Sequence, residues 1–287
     1  MSLAFEKFNQ QKKKFGAIKE LYCKNEMSFD LYYTGSIIKI QFADGKIKRY
    51  GQFPRREGMF LSKLTQNVVK QRIDSGKYVP RNTDPMRFRS NTIMYSADSI
   101  RKNLFKPCVS VDIVGCYWKT ALNLGVIDQK TYEIGMKKDR EYKDARVVAI
   151  GSLGALTVHE KYLNGKLVST DKERKFGACA RLDVIDHVWA VANWIAQKLG
   201  PDFLMFLTDC FYVPEKKQKA LCKLIEQEGY SWKVEKCEFG GVKRMYEGKS
   251  RTGEHIYTEK VIWYNFNKAK FKLHDFSYLH NKSFPEK

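Results

Sequence analysis

Two aspartates stand where a carboxylate is costly. Asp112 closes an apolar stretch that begins at Cys108, and Asp209 sits between the apolar runs Phe203–Leu207 and Phe211–Val213. A charge between buried strands is expensive unless something pairs with it. Two such carboxylates on adjacent strand ends make a site for divalent cations. Magnesium takes hard oxygen ligands and retains waters that a phosphate substrate can displace. Two metals about 4 Å apart can activate a hydroxyl nucleophile and stabilise a leaving pyrophosphate. A single strand-end aspartate more often caps a turn, so the argument rests on the pair and on what flanks it.

The elements that must position the pair read as follows. The stretch 107–114 is a short buried strand, followed by a helix from Tyr117 through Leu124. Phe203–Leu207 and Phe211–Val213 are the strands of a hairpin with Asp209 at its tip. Between them, Asp128 to Ile150 reads as a charged helix, with a glycine break at 151–154. Ala155–Tyr162 and Leu167–Ser169 read as strands joined at Asn164-Gly165. Leu182–Leu199 is an apolar-rich helix, with Val184, Val188, Val191 and Ile195 near helical spacing. Ahead of all this come an amphipathic helix to about Glu26, a hairpin over Ser36–Tyr50 turning on Asp44-Gly45, a helix over Met59–Ile73, and a basic loop over Asp74–Asn91. A helix over Lys216–Gly229 and a β-rich basic tail follow the second aspartate. The fold class expected is α+β.

This order resembles the palm of the family-B DNA polymerases, especially the compact protein-primed branch found in phages and linear plasmids. The family's first palm motif, D-x-x-S-L-Y-P-S, is matched by Asp112 and Tyr117 at the family spacing. Its last, Y-x-D-T-D-S, is matched by Asp209, with Leu207 in place of the first aspartate. The fingers motif K-x-x-x-N-S-x-Y-G, aligned without a gap, puts Arg146 at the lysine and Gly154 at the final glycine. Ile150, Gly151 and Leu153 then replace its Asn, Ser and Tyr. The resemblance covers roughly residues 107–215.

What the resemblance implies is specific. The fold would be a palm, an antiparallel sheet backed by helices, spanning 107–235. Short helical fingers would be inserted at about 119–158. A basic N-terminal region (1–106) would precede the palm, and a reduced thumb-like tail (236–287) would follow it. Asp112 and Asp209 would ligate Mg2+ (or Mn2+), with the backbone carbonyl of Ile113 a further ligand. Tyr117 would lie beneath the incoming sugar and exclude a 2′-hydroxyl. Arg146, with Arg140, Lys143 and Gly154, would hold the triphosphate. The activity would be DNA-directed nucleotidyl transfer from deoxynucleoside triphosphates to a primer or protein hydroxyl. Partners would be a DNA primer-template and a terminal or other replication protein. No D-x-E element occurs in 1–106, so no proofreading exonuclease is expected. The alternative is a degenerate palm serving as a non-catalytic DNA-binding replication accessory. A nuclease using Asp183 and Asp186 is a third reading, although capping of a helix start explains both residues more simply.

Charge agrees with a polyanionic partner. The chain of 287 residues carries a net charge of +20. Residues 1–111 hold 22 Lys+Arg against 9 Asp+Glu, so the front of the chain is the more basic. The seven cysteines are scattered without any C-x-x-C pair, which argues against zinc ribbons and disulfide frameworks. No run reaches the roughly 18 apolar residues of a membrane helix, and the N-terminus lacks an apolar signal core. A cytoplasmic location, in a host cell where the gene is viral, is therefore expected, with no membrane partner.

Overall fold

A computed structural model of the chain describes residues 16–17, 19–34, 37–51, 56–87, 93–249 and 255–265. The architecture is α+β, with two antiparallel sheets. The chain divides into two compact units, each made of two separated stretches: 1–88 with 121–184, and 89–120 with 185–287. These boundaries differ from the division at 106 and 235 expected from sequence. Residues 1–88 pack with the stretch containing the expected fingers rather than standing alone.

The first unit carries a sheet of β1 (Phe29–Thr34), β2 (Ile37–Phe42), β3 (Ile47–Gly51), β6 (Leu156–Leu163) and β7 (Lys166–Arg174), in the order β3-β2-β1-β6-β7. The β2–β3 turn uses Gly45 at φ 81°, a conformation only glycine adopts freely. Period-two alternation sends Phe29 and Leu31 of β1, Ile40 of β2 and Tyr162 of β6 into one apolar cluster. Residues 16–17 and 19–24 are helical (α1), and Tyr22 of this helix packs on that cluster. Helix α2 (Arg56–Asp74) buries Gly58, Leu61, Thr65, Val68 and Val69, one face at helical spacing. It packs against α6 (Arg140–Leu153) and α5 (Gln129–Gly135). The single charged helix expected over 128–150 is thus two. Asp128 caps α5 by accepting from the Thr131 N–H at 2.8 Å, and the backbone turns extended at Asp139 before α6 begins. Helix α6 continues through Gly151 and ends only at Gly154.

The second unit carries the sheet β11-β10-β5-β9-β8-β4. Its strands are β4 (Ile93–Tyr95), β5 (Cys108–Ile113), β8 (Met205–Leu207), β9 (Cys210–Pro214), β10 (Trp232–Lys249) and β11 (His255–Asn265). Helix α4 (Cys116–Asn123) begins here, α7 (Ala178–Leu199) ends here, and α3 (Ala97–Lys102) and α8 (Gln218–Gln227) lie wholly within it. On one sheet face, Val109, Val111, Ile113, Phe206, Phe211 and Val213 meet apolar side chains of α7 and α8. On the other, Cys108, Tyr212, Cys237 and Phe239 pack with Ile100 of α3. The sheet is therefore apolar on both faces through its middle, which explains the near-continuous apolar runs of β5 and β9. The tail expected from 236 onward starts within this sheet, since β10 pairs with β5 from Trp232 to Cys237. No helix of the described residues is long and apolar enough to cross a membrane.

Candidate metal centre

The first carboxylate is on the penultimate residue of β5. Alternation places Val109, Val111 and Ile113 toward the helices, so Asp112 shares the opposite face with Cys108 and Ser110. Antiparallel pairing sets Asp112 directly across from Cys210, the first residue of β9. The Ile113 N–H donates to the Asp209 carbonyl at 2.9 Å, so the end of β5 is tied to the tip of the β8–β9 hairpin. Both aspartates are partly exposed, at the margin of a buried sheet. Their shared field shows in two thiols. Burial first, and then Asp209 and Asp112, push the Cys116 thiol well above its ordinary pKa. Burial and Asp112 do the same at Cys210.

The hairpin tip is strained. Leu207 pairs with Cys210, leaving a two-residue loop of Thr208 and Asp209. Thr208 has φ 62°, a left-handed conformation that a β-branched residue rarely adopts. The Asp209 N–H donates to the Leu207 carbonyl at 2.7 Å. The Tyr117 hydroxyl donates to the Thr208 carbonyl at 3.1 Å, so the tyrosine braces the turn that presents Asp209. Tyr117 reaches it because Gly115, at φ 60°, turns the chain sharply from β5 into α4. The backbones of Asp112, Ile113 and Asp209 thus meet at one end of the β5–β9 pair, and Tyr117 is tied to the same tip through its hydroxyl.

No protein-family model, curated protein or solved structure matches the chain. Two carboxylates supply hard oxygen donors of the kind magnesium takes, and that ion keeps several waters and phosphate oxygens in its shell. Among the described residues no group of three or more His, Cys, Asp or Glu forms a metal cage. The donor set fits a cation shared with a phosphate substrate better than one enclosed by protein.

The other expected site residues lie in the first unit, where each has a local role or position. The Arg146 guanidinium donates to the Gly135 carbonyl at 2.6 Å, linking α6 to α5, and burial lowers its pKa. Lys143 is exposed on α6. Arg140 opens α6, and its side chain lies outside the described residues. Gly154 ends α6, where a Cβ would fall 2.5 Å from Cδ of Arg181, and its carbonyl accepts from Arg174 at 2.9 Å. Leu207, in the place of the family's first aspartate, packs on the apolar cluster around Tyr212 and Phe239.

Two arrangements had no signal in the sequence. Lys233 on β10 pairs directly with Asp112 on the side away from β9. Cross-strand neighbours have Cβ atoms about 5 Å apart, so a lysine and not a second carboxylate neighbours Asp112 on that side. Asp183 belongs to a separate arrangement in the first unit. Helix α7 begins at Ala178, so Asp183 lies in its second turn rather than at its start, and capping does not account for it. Its buried carboxylate accepts from the Tyr78 hydroxyl, from the Arg81 N–H at 2.7 Å, and from the Asn82 N–H and side-chain amide at 2.9 and 2.6 Å. The expected basic loop is thereby clamped to the helix. Lys77, Tyr78, Val79, Arg81, Leu124 and Asp183 line a cavity of about 160 Å3 beside it. With its acceptors taken by the protein, Asp183 serves the loop rather than a nuclease centre.

Proposed function

We propose that the chain is a small DNA polymerase whose palm is the second unit, using Asp112 and Asp209 to bind magnesium for nucleotidyl transfer. The observation that carries the reading is the tie between the end of β5 and the β8–β9 tip, which sets both aspartates at one margin of a helix-backed antiparallel sheet. On this reading Asp112 and Asp209 would hold the metal ions, which would supply Lewis-acid activation of a hydroxyl nucleophile and charge neutralisation at a pyrophosphate leaving group. Tyr117 holds the hairpin in place and offers its ring to the sugar. The resemblance assigns Arg140, Lys143, Arg146 and Gly154 to the triphosphate, an assignment resting on residue order alone. The test is primer extension with magnesium and four deoxynucleotides. Wild type extends, and Asp209→Ala and Asp112→Asn each lose at least 100-fold in rate while still binding DNA. Extension that survives in both variants would sink the assignment.

A second reading, a DNA-binding replication accessory without catalysis, draws on Leu207. Partly buried against the cluster around Tyr212 and Phe239, this residue puts hydrocarbon where the family has a carboxylate. This reading expects DNA binding that falls steeply with salt and is indifferent to magnesium and to both aspartates.

A further inference from the structure

The loop between α3 and β5 carries a residue that contributes little to the fold. Phe105 is 68% exposed and has φ 56°, an outlying conformation for a bulky side chain. A glycine or asparagine would make this turn without strain, and a polar side chain would suit the exposure. The backbone is nevertheless fixed. The Phe105 N–H donates to the Phe239 carbonyl of β10 at 2.9 Å, and Leu104 bridges to Phe239. The ring is therefore presented outward from a pinned turn.

Its chain neighbours are cationic, while Glu238 lies next to Phe239 on β10. Arg101, Lys102 and Lys106 are exposed within four residues, and the segment 101–106 holds no acidic residue. Lys106 donates to the Lys102 carbonyl at 2.7 Å, which folds the two lysines onto one turn. Arg101 is bridged to Asp98 at 3.1 Å. Glu215, whose N–H donates to the Pro107 carbonyl, is bridged to Lys236 at 3.2 Å.

We infer that Phe105 is a base-stacking residue, receiving an unpaired base of a nucleic-acid strand whose phosphates lie along Lys102 and Lys106. An aromatic face takes any base, and flanking cations track the backbone, the combination that binds single strands without sequence preference. The inference rests on the nucleic-acid part of the proposed function but not on catalysis. Phe105 lies beyond the end of β5 opposite to Asp112, so changing it leaves the metal centre intact.

The test is fluorescence anisotropy of the full chain in EDTA, without nucleotides. It compares a labelled oligothymidylate with an abasic strand of equal length and charge. Wild type binds the base-bearing strand more tightly. Phe105→Ala weakens that binding about 5- to 100-fold and leaves abasic binding unchanged, while Phe105→Trp retains the preference. Thermal melting of Phe105→Ala at or above the wild-type value shows that the variant is folded. The inference is overturned if wild type binds both strands alike, or if Phe105→Ala binds both as wild type does. Equal weakening on both strands by a folded Phe105→Ala overturns it too. Loss of primer extension in Asp209→Ala moves none of these readouts, so failure of the polymerase reading and failure of this one are separate results.

Discussion

Tyr117 has an observed contact and a proposed role, and a single substitution separates them. Its hydroxyl braces the Thr208 carbonyl, and its ring is the part the resemblance assigns to the sugar. Tyr117→Phe removes one hydrogen bond and keeps the ring. It should cost about 1 kcal/mol of stability in urea unfolding while preserving discrimination against ribonucleotides in extension assays. Tyr117→Ala should lose the discrimination as well. Asp183 gives a sharper residue-level case. Removing its buried carboxylate orphans the donors of Tyr78, Arg81 and Asn82 at once. Asp183→Ala should therefore destabilise by roughly 3 kcal/mol, with new proteolytic cleavage between residues 77 and 87. Intact stability and an uncleaved loop would show that the clamp is not needed. The places of Asp112 near a strand end and of Asp209 at a hairpin tip were legible in the sequence because a carboxylate flanked by apolar runs is a local anomaly. Lys233 and the Asp183 clamp were not, since each depends on a partner about a hundred residues away.

At the scale of elements, the strands and hairpins with turn chemistry were plain to read. The Asp44-Gly45 and Asn164-Gly165 turns and the β8–β9 hairpin all fall where apolar alternation and turn residues placed them. Strand β1 escaped because it is the central strand of its sheet and one of its two partners, β6, lies more than a hundred residues on. The attachment of α1 to this sheet is also non-local. Lys19 is bridged to Glu160 of β6 at 2.8 Å, and the Tyr162 hydroxyl donates to the same carboxylate at 2.7 Å. Burial raises the Glu160 pKa, but the hydrogen bonds from Lys19 and Tyr162 outweigh it, and the net shift is downward. A carboxyl with a depressed folded-state pKa contributes stability that is present above its unfolded value, about 4.3. That contribution is lost as pH falls through the lower folded value. In acid unfolding, wild type should therefore lose stability relative to Glu160→Gln below about pH 4, with the difference constant above pH 6. A difference unchanged down to pH 2 would show that the bridge contributes nothing.

For the whole molecule, the sequence division and the structural one place residues 1–106 differently, and the physical reason is strand pairing. Local signals mark where a helix or strand starts and stops, but not which distant strand completes a sheet. Here β1 completes the sheet of β6 and β7, and α2 supplies the face on which α6 packs. A fragment 107–287 would keep β5, β8, β9, β10 and the helices behind them. It would strip β6 of a paired neighbour and remove α2 from the face of α6 that it packs on. Losing the paired strand and the packed helix uncovers apolar surface that the intact unit buries and costs the ladder hydrogen bonds that fix β6. Limited proteolysis of this fragment should cut first within 121–174, whereas the full chain should resist there. If the fragment shows the same protection as the intact protein, residues 1–106 form an appendage, and the pairing of β1 with β6 is not what stabilises the first unit.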